Sequence, residues 1–93
     1  MSEKKAVEAL ISGRVQGVCF RMETERAAEK LNLTGWVKNL PDGRVHALFE
    51  GKPEQVDAVL RWCEQGPPMA RVDEVIVTQA PVTGAYDGFD IRY

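Results

Sequence analysis

The chain has 93 residues, 44% of them hydrophobic and 28% charged, with a formal net charge of −2. That is the length and composition of one soluble domain, residues 1–93, able to bury its own core without staples. The slightly acidic balance argues against a partner recognised by phosphate neutralisation along its length, so no nucleic acid is expected.

Met1-Ser2-Glu3-Lys4-Lys5 has no apolar segment of the kind a secretory leader carries. No run approaches the ~20 apolar residues that a membrane span needs. A cytoplasmic protein without a membrane partner is expected. Residues 5–12 then read as a buried strand, β1. Gly13-Arg14-Val15-Gln16-Gly17-Val18-Cys19-Phe20-Arg21 follows as a strand-to-helix turn. A helix, α1, is expected over about 21–31, with Phe20, Thr24, Ala27, Ala28 and Leu31 inward and Asn32 ending it. Glu23 and Glu25 are placed in its first turn, where carboxylates suit the helix dipole.

Residues 34–40 read as β2, with Gly35, Val37 and Asn39 on one face and Trp36, Lys38 and Leu40 on the other. Pro41-Asp42-Gly43 is a turn: proline presets φ and glycine permits positive φ. Residues 44–50 are β3, so β2 and β3 form a hairpin. Val45, Ala47 and Phe49 share one face of β3, and His46 and Leu48 the other. Pro53 suits the first position of a second helix, α2, whose stripe is Val56, Val59, Leu60 and Cys63. Gly66-Pro67-Pro68 stops it. Residues 72–79, rich in β-branched side chains, are β4. A polar loop over 81–88 leads to a short final strand, β5, over 89–93.

The order βαββαβ plus a short strand predicts a ferredoxin-like α+β sandwich, a mainly antiparallel sheet with two helices on one face. The helical connection makes β1 and β2 run in the same direction. Their C-terminal ends then share one edge, which brings the turn after β1 beside Asn39.

The turn itself is a candidate oxyanion or phosphate cradle. A helix N-terminus offers free N–H groups and the positive end of the dipole. Gly17 removes a Cβ where backbone would approach a ligand. Arg21 in the first helical turn opposes the dipole, a conflict that a bound anion relieves. The alternative is a glycine-containing connector with a solvated arginine.

Gly13-x-Val15-Gln16-Gly17-Val18-x-Phe20-Arg21, then Gly35-Trp36-Val37-x-Asn39 and Asp42-Gly43, together resemble the acylphosphatase family. The resemblance runs through Ala70-Arg71-Val72 to the Phe89–Tyr93 ending. It implies hydrolysis of the carboxyl-phosphate bond of a small-molecule acyl phosphate to a carboxylate and inorganic phosphate. It implies no metal and no organic cofactor. Inorganic phosphate, as product, is expected to inhibit, and a monomer is expected. The family's phosphate-binding arginine falls on Arg21 and its water-positioning asparagine on Asn39. Its backbone cradle falls on Val15, Gln16, Gly17, Val18, Cys19 and Phe20.

These residue types suit the chemistry. A carboxylate leaves readily, so positioning and charge stabilisation carry the reaction. Asn39 is able to accept from and donate to a water without acting as a strong base. Cys19 reads as an outward-facing bystander, because a cysteine-dependent phosphatase spaces its cysteine and arginine as Cys-x5-Arg. His46 has no second histidine to build a metal site and is placed on the open sheet face. Trp36 and Trp62 read as packing residues.

Two rival readings share the element order. A ferredoxin-like RNA-binding module displays aromatics on its central strands, whereas here β1 has none and β3 only Phe49. A non-catalytic acyl-phosphate-binding domain within a carbamoyl-phosphate-handling maturation protein is the other. Arg21 and Asn39 together favour the enzyme.

Overall fold

The computed structural model describes residues 3–93; Met1 and Ser2, which begin the segment read above for a leader, lie outside the described residues. Seven elements follow in chain order: β1 Lys5–Arg14, α1 Phe20–Lys30, β2 Thr34–Asn39, β3 Val45–Gly51, α2 Pro53–Gln65, β4 Arg71–Ala80 and β5 Phe89–Arg92. The strands form one sheet in the order β4-β1-β3-β2-β5. β1 is antiparallel to β3 and β4, and β2 is antiparallel to β3 but parallel to β5. With β3 antiparallel to both, β1 and β2 run the same way and end at one edge. The ferredoxin-like expectation holds.

Alternation on the strands decides which face the helices cover. Val7, Ala9 and Ile11 of β1, Val45, Ala47 and Phe49 of β3, and Val37 of β2 are buried. They meet Phe20, Thr24 and Ala28 from α1 and Val56, Val59 and Cys63 from α2 in one core. Phe49 and Phe89 stack at 5.4 Å, which ties the short fifth strand into it. The open face carries His46, whose Nε2 lies 2.7 Å from Glu8 Oε1. Trp36 packs edge-on against the His46 ring at 4.8 Å, a packing role as expected.

Several boundaries differ from the sequence reading for identifiable reasons. β1 runs two residues further, to Arg14, because Gly13 sits opposite a bulge in β4, where Asp73 is the extra residue, instead of ending the strand. At φ 128° it brings β1 against the Arg71 carbonyl, and pairing with β4 continues through Val72 and Arg71. β2 ends at Asn39, since the Leu40 N–H turns to the Arg44 carbonyl at 2.8 Å and closes the hairpin. α1 begins at Phe20, which moves Glu25 out of the first turn and leaves Glu23 as the acidic residue there. Asn32, at φ 57°, follows the last turn of α1, where the Leu33 N–H reaches back to Ala28 O at 2.9 Å.

Candidate active site

The loop between β1 and α1 is held by its apolar members. Val15, Val18 and Phe20 are buried at 1%, 7% and 1% exposure, and the Phe20 ring lies 5.5 Å from that of Trp62 on α2. With those side chains in the core, the residues between them are left at the surface. Gly17 has φ 75° and Cys19 φ 62°, so two left-handed residues curl a five-residue segment. A Cβ at Gly17 would touch nothing within 4 Å. The positive backbone angle favours glycine there, and no protein atom crowds the position, which leaves the backbone open toward the cleft. Among the described residues, no hydrogen-bond acceptor takes the N–H groups of residues 16–22; the first such bond of α1 is Glu23 N–H to Cys19 O at 3.1 Å. That is the N-terminal row of free donors on which anion binding depends.

A cleft of about 360 Å³ opens on this loop. Val15, Gln16, Gly17, Cys19 and Phe20 line its loop side, Arg21 and Met22 its helix side, and Asn39, Ile91 and Tyr93 its strand side. The topology therefore brings Arg21 and Asn39 into one cleft, as the parallel run of β1 and β2 requires. Val18 is not part of the lining; its side chain belongs to the core. Cys19 is exposed at the rim.

The electrostatics favour an anion. Arg21 is the one charged side chain in the lining, and no carboxylate pairs with it among the described residues. Its guanidinium lies 4.9 Å from the centre of the Tyr93 ring. Asn39 Oδ1 is buried and has no hydrogen-bond partner among the described residues. A buried acceptor left unsatisfied costs about 1–3 kcal/mol, so such atoms tend to mark places where a ligand or water completes the site.

Gln16 plays a part the sequence did not disclose. Its Nε2 donates to Leu40 O at 2.8 Å and to Arg44 O at 3.0 Å, across to the hairpin that carries Asn39. Met22, Ile91 and Tyr93 were also missed as lining residues. The alternation Phe89-Ile91-Tyr93 put the last two on one face of β5. What was lacking was the parallel pairing of β5 with β2, which sets Ile91 opposite Val37.

The fold and this cleft define an α+β sandwich with an anion-receptive loop at a strand-to-helix turn. The acylphosphatase family model matches residues 7–91. An acylphosphatase of Rubrobacter xylanophilus is 52% identical over 90 residues, covering 97% of this chain and 82% of that one. One of Methylococcus capsulatus is 52% identical over 87 residues, covering 94% and 95%. The crystal structure of acylphosphatase from Bacillus subtilis superposes with a TM-score of 0.92 at 35% identity, covering 96% and 99%. The chain belongs to the acylphosphatase family. It is accordingly a hydrolase whose substrate is a small-molecule acyl phosphate. No helix among the described residues is long and apolar enough to cross a membrane.

Proposed function

We propose that hydrolysis takes place in the cleft between the 15–19 loop and the ends of β2 and β5, with Arg21 and Asn39 as its catalytic residues. The observation that carries the assignment is the buried, unpartnered Asn39 Oδ1 in the same cleft as an arginine without a carboxylate partner. The backbone N–H groups of the loop and the Arg21 guanidinium hold the phosphoryl oxygens as charge redistributes. Asn39 Oδ1 accepts a hydrogen bond from a water and fixes its approach to phosphorus. As the water oxygen bonds to phosphorus, the bond from phosphorus to the carboxyl oxygen breaks. The carboxylate leaves with the electron pair, and the water's proton passes to a phosphoryl oxygen or to solvent. Little general-acid assistance is needed for such a leaving group.

The protein is proposed to act as a monomer in the cytoplasm, with inorganic phosphate as a competitive inhibitor. The test is release of phosphate from benzoyl phosphate by purified protein with a chelator present. Phosphate at millimolar concentration should inhibit competitively and raise Tm by mass action. If phosphate neither inhibits nor protects, the cradle assignment is wrong.

A further inference from the structure

We infer that the side chain of Gln16 is a positioning residue: it sets the distance between the phosphate cradle and Asn39 and does not itself bind the phosphoryl group. This rests on the cleft assignment above and adds the element that holds its two halves in register.

A glutamine amide nitrogen has two N–H donors. Both are used, one on Leu40 O at 2.8 Å and one on Arg44 O at 3.0 Å. No donor is left to meet an anion. The remaining polar atom, Oε1, is an acceptor and would repel one. The side chain is therefore committed to the hairpin, although it lines the cleft.

The two carbonyls are well chosen for that purpose. Leu40 directly follows Asn39, and Arg44 directly precedes Val45, the cross-strand partner of Asn39. The turn between them is braced internally. The Leu40 N–H donates to the same Arg44 carbonyl at 2.8 Å, and Asp42 accepts from both the backbone and the guanidinium of Arg44. Gln16 thus joins the cradle to a stiff turn. Among the described residues, no other side chain of the 15–19 loop makes a hydrogen bond to the hairpin. Asn39 Oδ1 has no bond of its own, so the amide is aimed by the backbone on either side of it.

Losing the tie lets Asn39 drift relative to the held phosphoryl group. A misplacement near 1 Å is enough to reduce turnover by about a hundredfold. Phosphate affinity is untouched by such drift, because the loop N–H groups and Arg21 supply it.

The experiment uses Gln16→Met, which keeps the length and removes the donors, and Gln16→Glu, which turns an acceptor toward both carbonyls. Each is first shown folded by circular dichroism and thermal melting. For Gln16→Met, kcat for benzoyl phosphate should fall on the order of tenfold to a hundredfold, with the phosphate inhibition constant within about threefold of wild type. Gln16→Glu should be slower still at neutral pH and should recover relative to wild type as acidification restores one O–H donor. The decisive measurement is the double variant. If Gln16 acts through Asn39, Gln16→Met should change kcat by less than about threefold in an Asn39→Ala background. A purely structural role would give the same loss in both backgrounds, and that result overturns the inference. So does normal kcat in folded Gln16→Met, or a loss of phosphate affinity in parallel with kcat. If Asn39→Ala alone turns over normally, the cleft assignment itself fails, and the inference falls with it.

Discussion

The guanidinium of Arg21 lies over the ring of Tyr93, 4.9 Å from its centre, and so links the first turn of α1 to the residue that follows β5. The contact opposes the tendency of a cation at a helix N-terminus to swing away from the dipole.

Tyr93→Leu should therefore weaken phosphate binding without abolishing it. A cation–π contact at an exposed site is worth about 0.5–1 kcal/mol, or roughly a twofold to fivefold loss of affinity. Calorimetric titration with phosphate measures it directly. An unchanged dissociation constant would show that the ring does not preorganise Arg21.

Arg21→Ala and Asn39→Ala should part company. Removing Arg21 takes the charge from the anion site, so phosphate affinity and kcat both fall. Removing Asn39 should lower kcat and leave phosphate affinity within about threefold, less than 1 kcal/mol. Stability separates a site residue from a structural one here. Asn39 Oδ1 has no hydrogen-bond partner among the described residues, so its loss breaks no protein hydrogen bond and should cost little stability. Melting of Asn39→Ala within roughly a few degrees of wild type, together with slow turnover, is the expected pair. A large drop in Tm would assign Asn39 to the hairpin instead.

The sequence was most legible where periodicity and motif agreed. Val45-x-Ala47-x-Phe49 alternates with His46 and Leu48, and those two faces are the core and the open side of β3. The order of elements gave β1 and β2 one direction, and hence the meeting of Arg21 and Asn39. What periodicity does not carry is a side chain that hydrogen-bonds across the topology. Gln16 lies 24 residues from Leu40 and 28 from Arg44, and nothing local marks it as their partner. Nor did Gly13 announce its place: it continues β1 opposite a bulge in β4, where only residues 5–12 read as strand.

Cys19 illustrates strain held at the site. It occupies the N-cap of α1 in the left-handed region, at φ 62° and ψ 23°, and makes no capping bond with its side chain. A non-glycine residue there is destabilised by roughly 1–2 kcal/mol, against a smaller entropic loss for glycine. Cys19→Gly should accordingly raise stability by up to about 1 kcal/mol in denaturant unfolding. Cys19→Ser should keep most of the activity, in line with a bystander at the rim. Loss of several orders of magnitude in folded Cys19→Ser, with a trapped phosphocysteine, would establish covalent catalysis in its place.

The two thiols should differ sharply in behaviour. Cys19 is exposed, whereas Cys63 is buried among the core residues of α2. Burial penalises the Cys63 thiolate, with a smaller push from the Glu64 carboxylate, and its pKa is raised from 9.0 to about 12. At pH 8 a disulfide reagent should modify one thiol rapidly in the native protein and the second only on unfolding. The same shift bears on alkaline stability. Below pH 9 the thiol is protonated in both folded and unfolded chains and stability is unaffected. Between about 9 and 12 the unfolded chain releases this proton while the folded one retains it, so stability falls with rising pH. The slope from one group is at most ~1.4 kcal/mol for each pH unit. Lysine and tyrosine titrate in the same range, so the comparison is between wild type and Cys63→Ala, each unfolded in denaturant at several pH values. Cys63→Ala leaves a cavity and starts less stable, but its stability should decline less steeply above pH 9. Parallel curves for the two proteins, or rapid modification of both thiols in the native state, would mean that the α2 side of the core opens to solvent far more readily than its packing indicates.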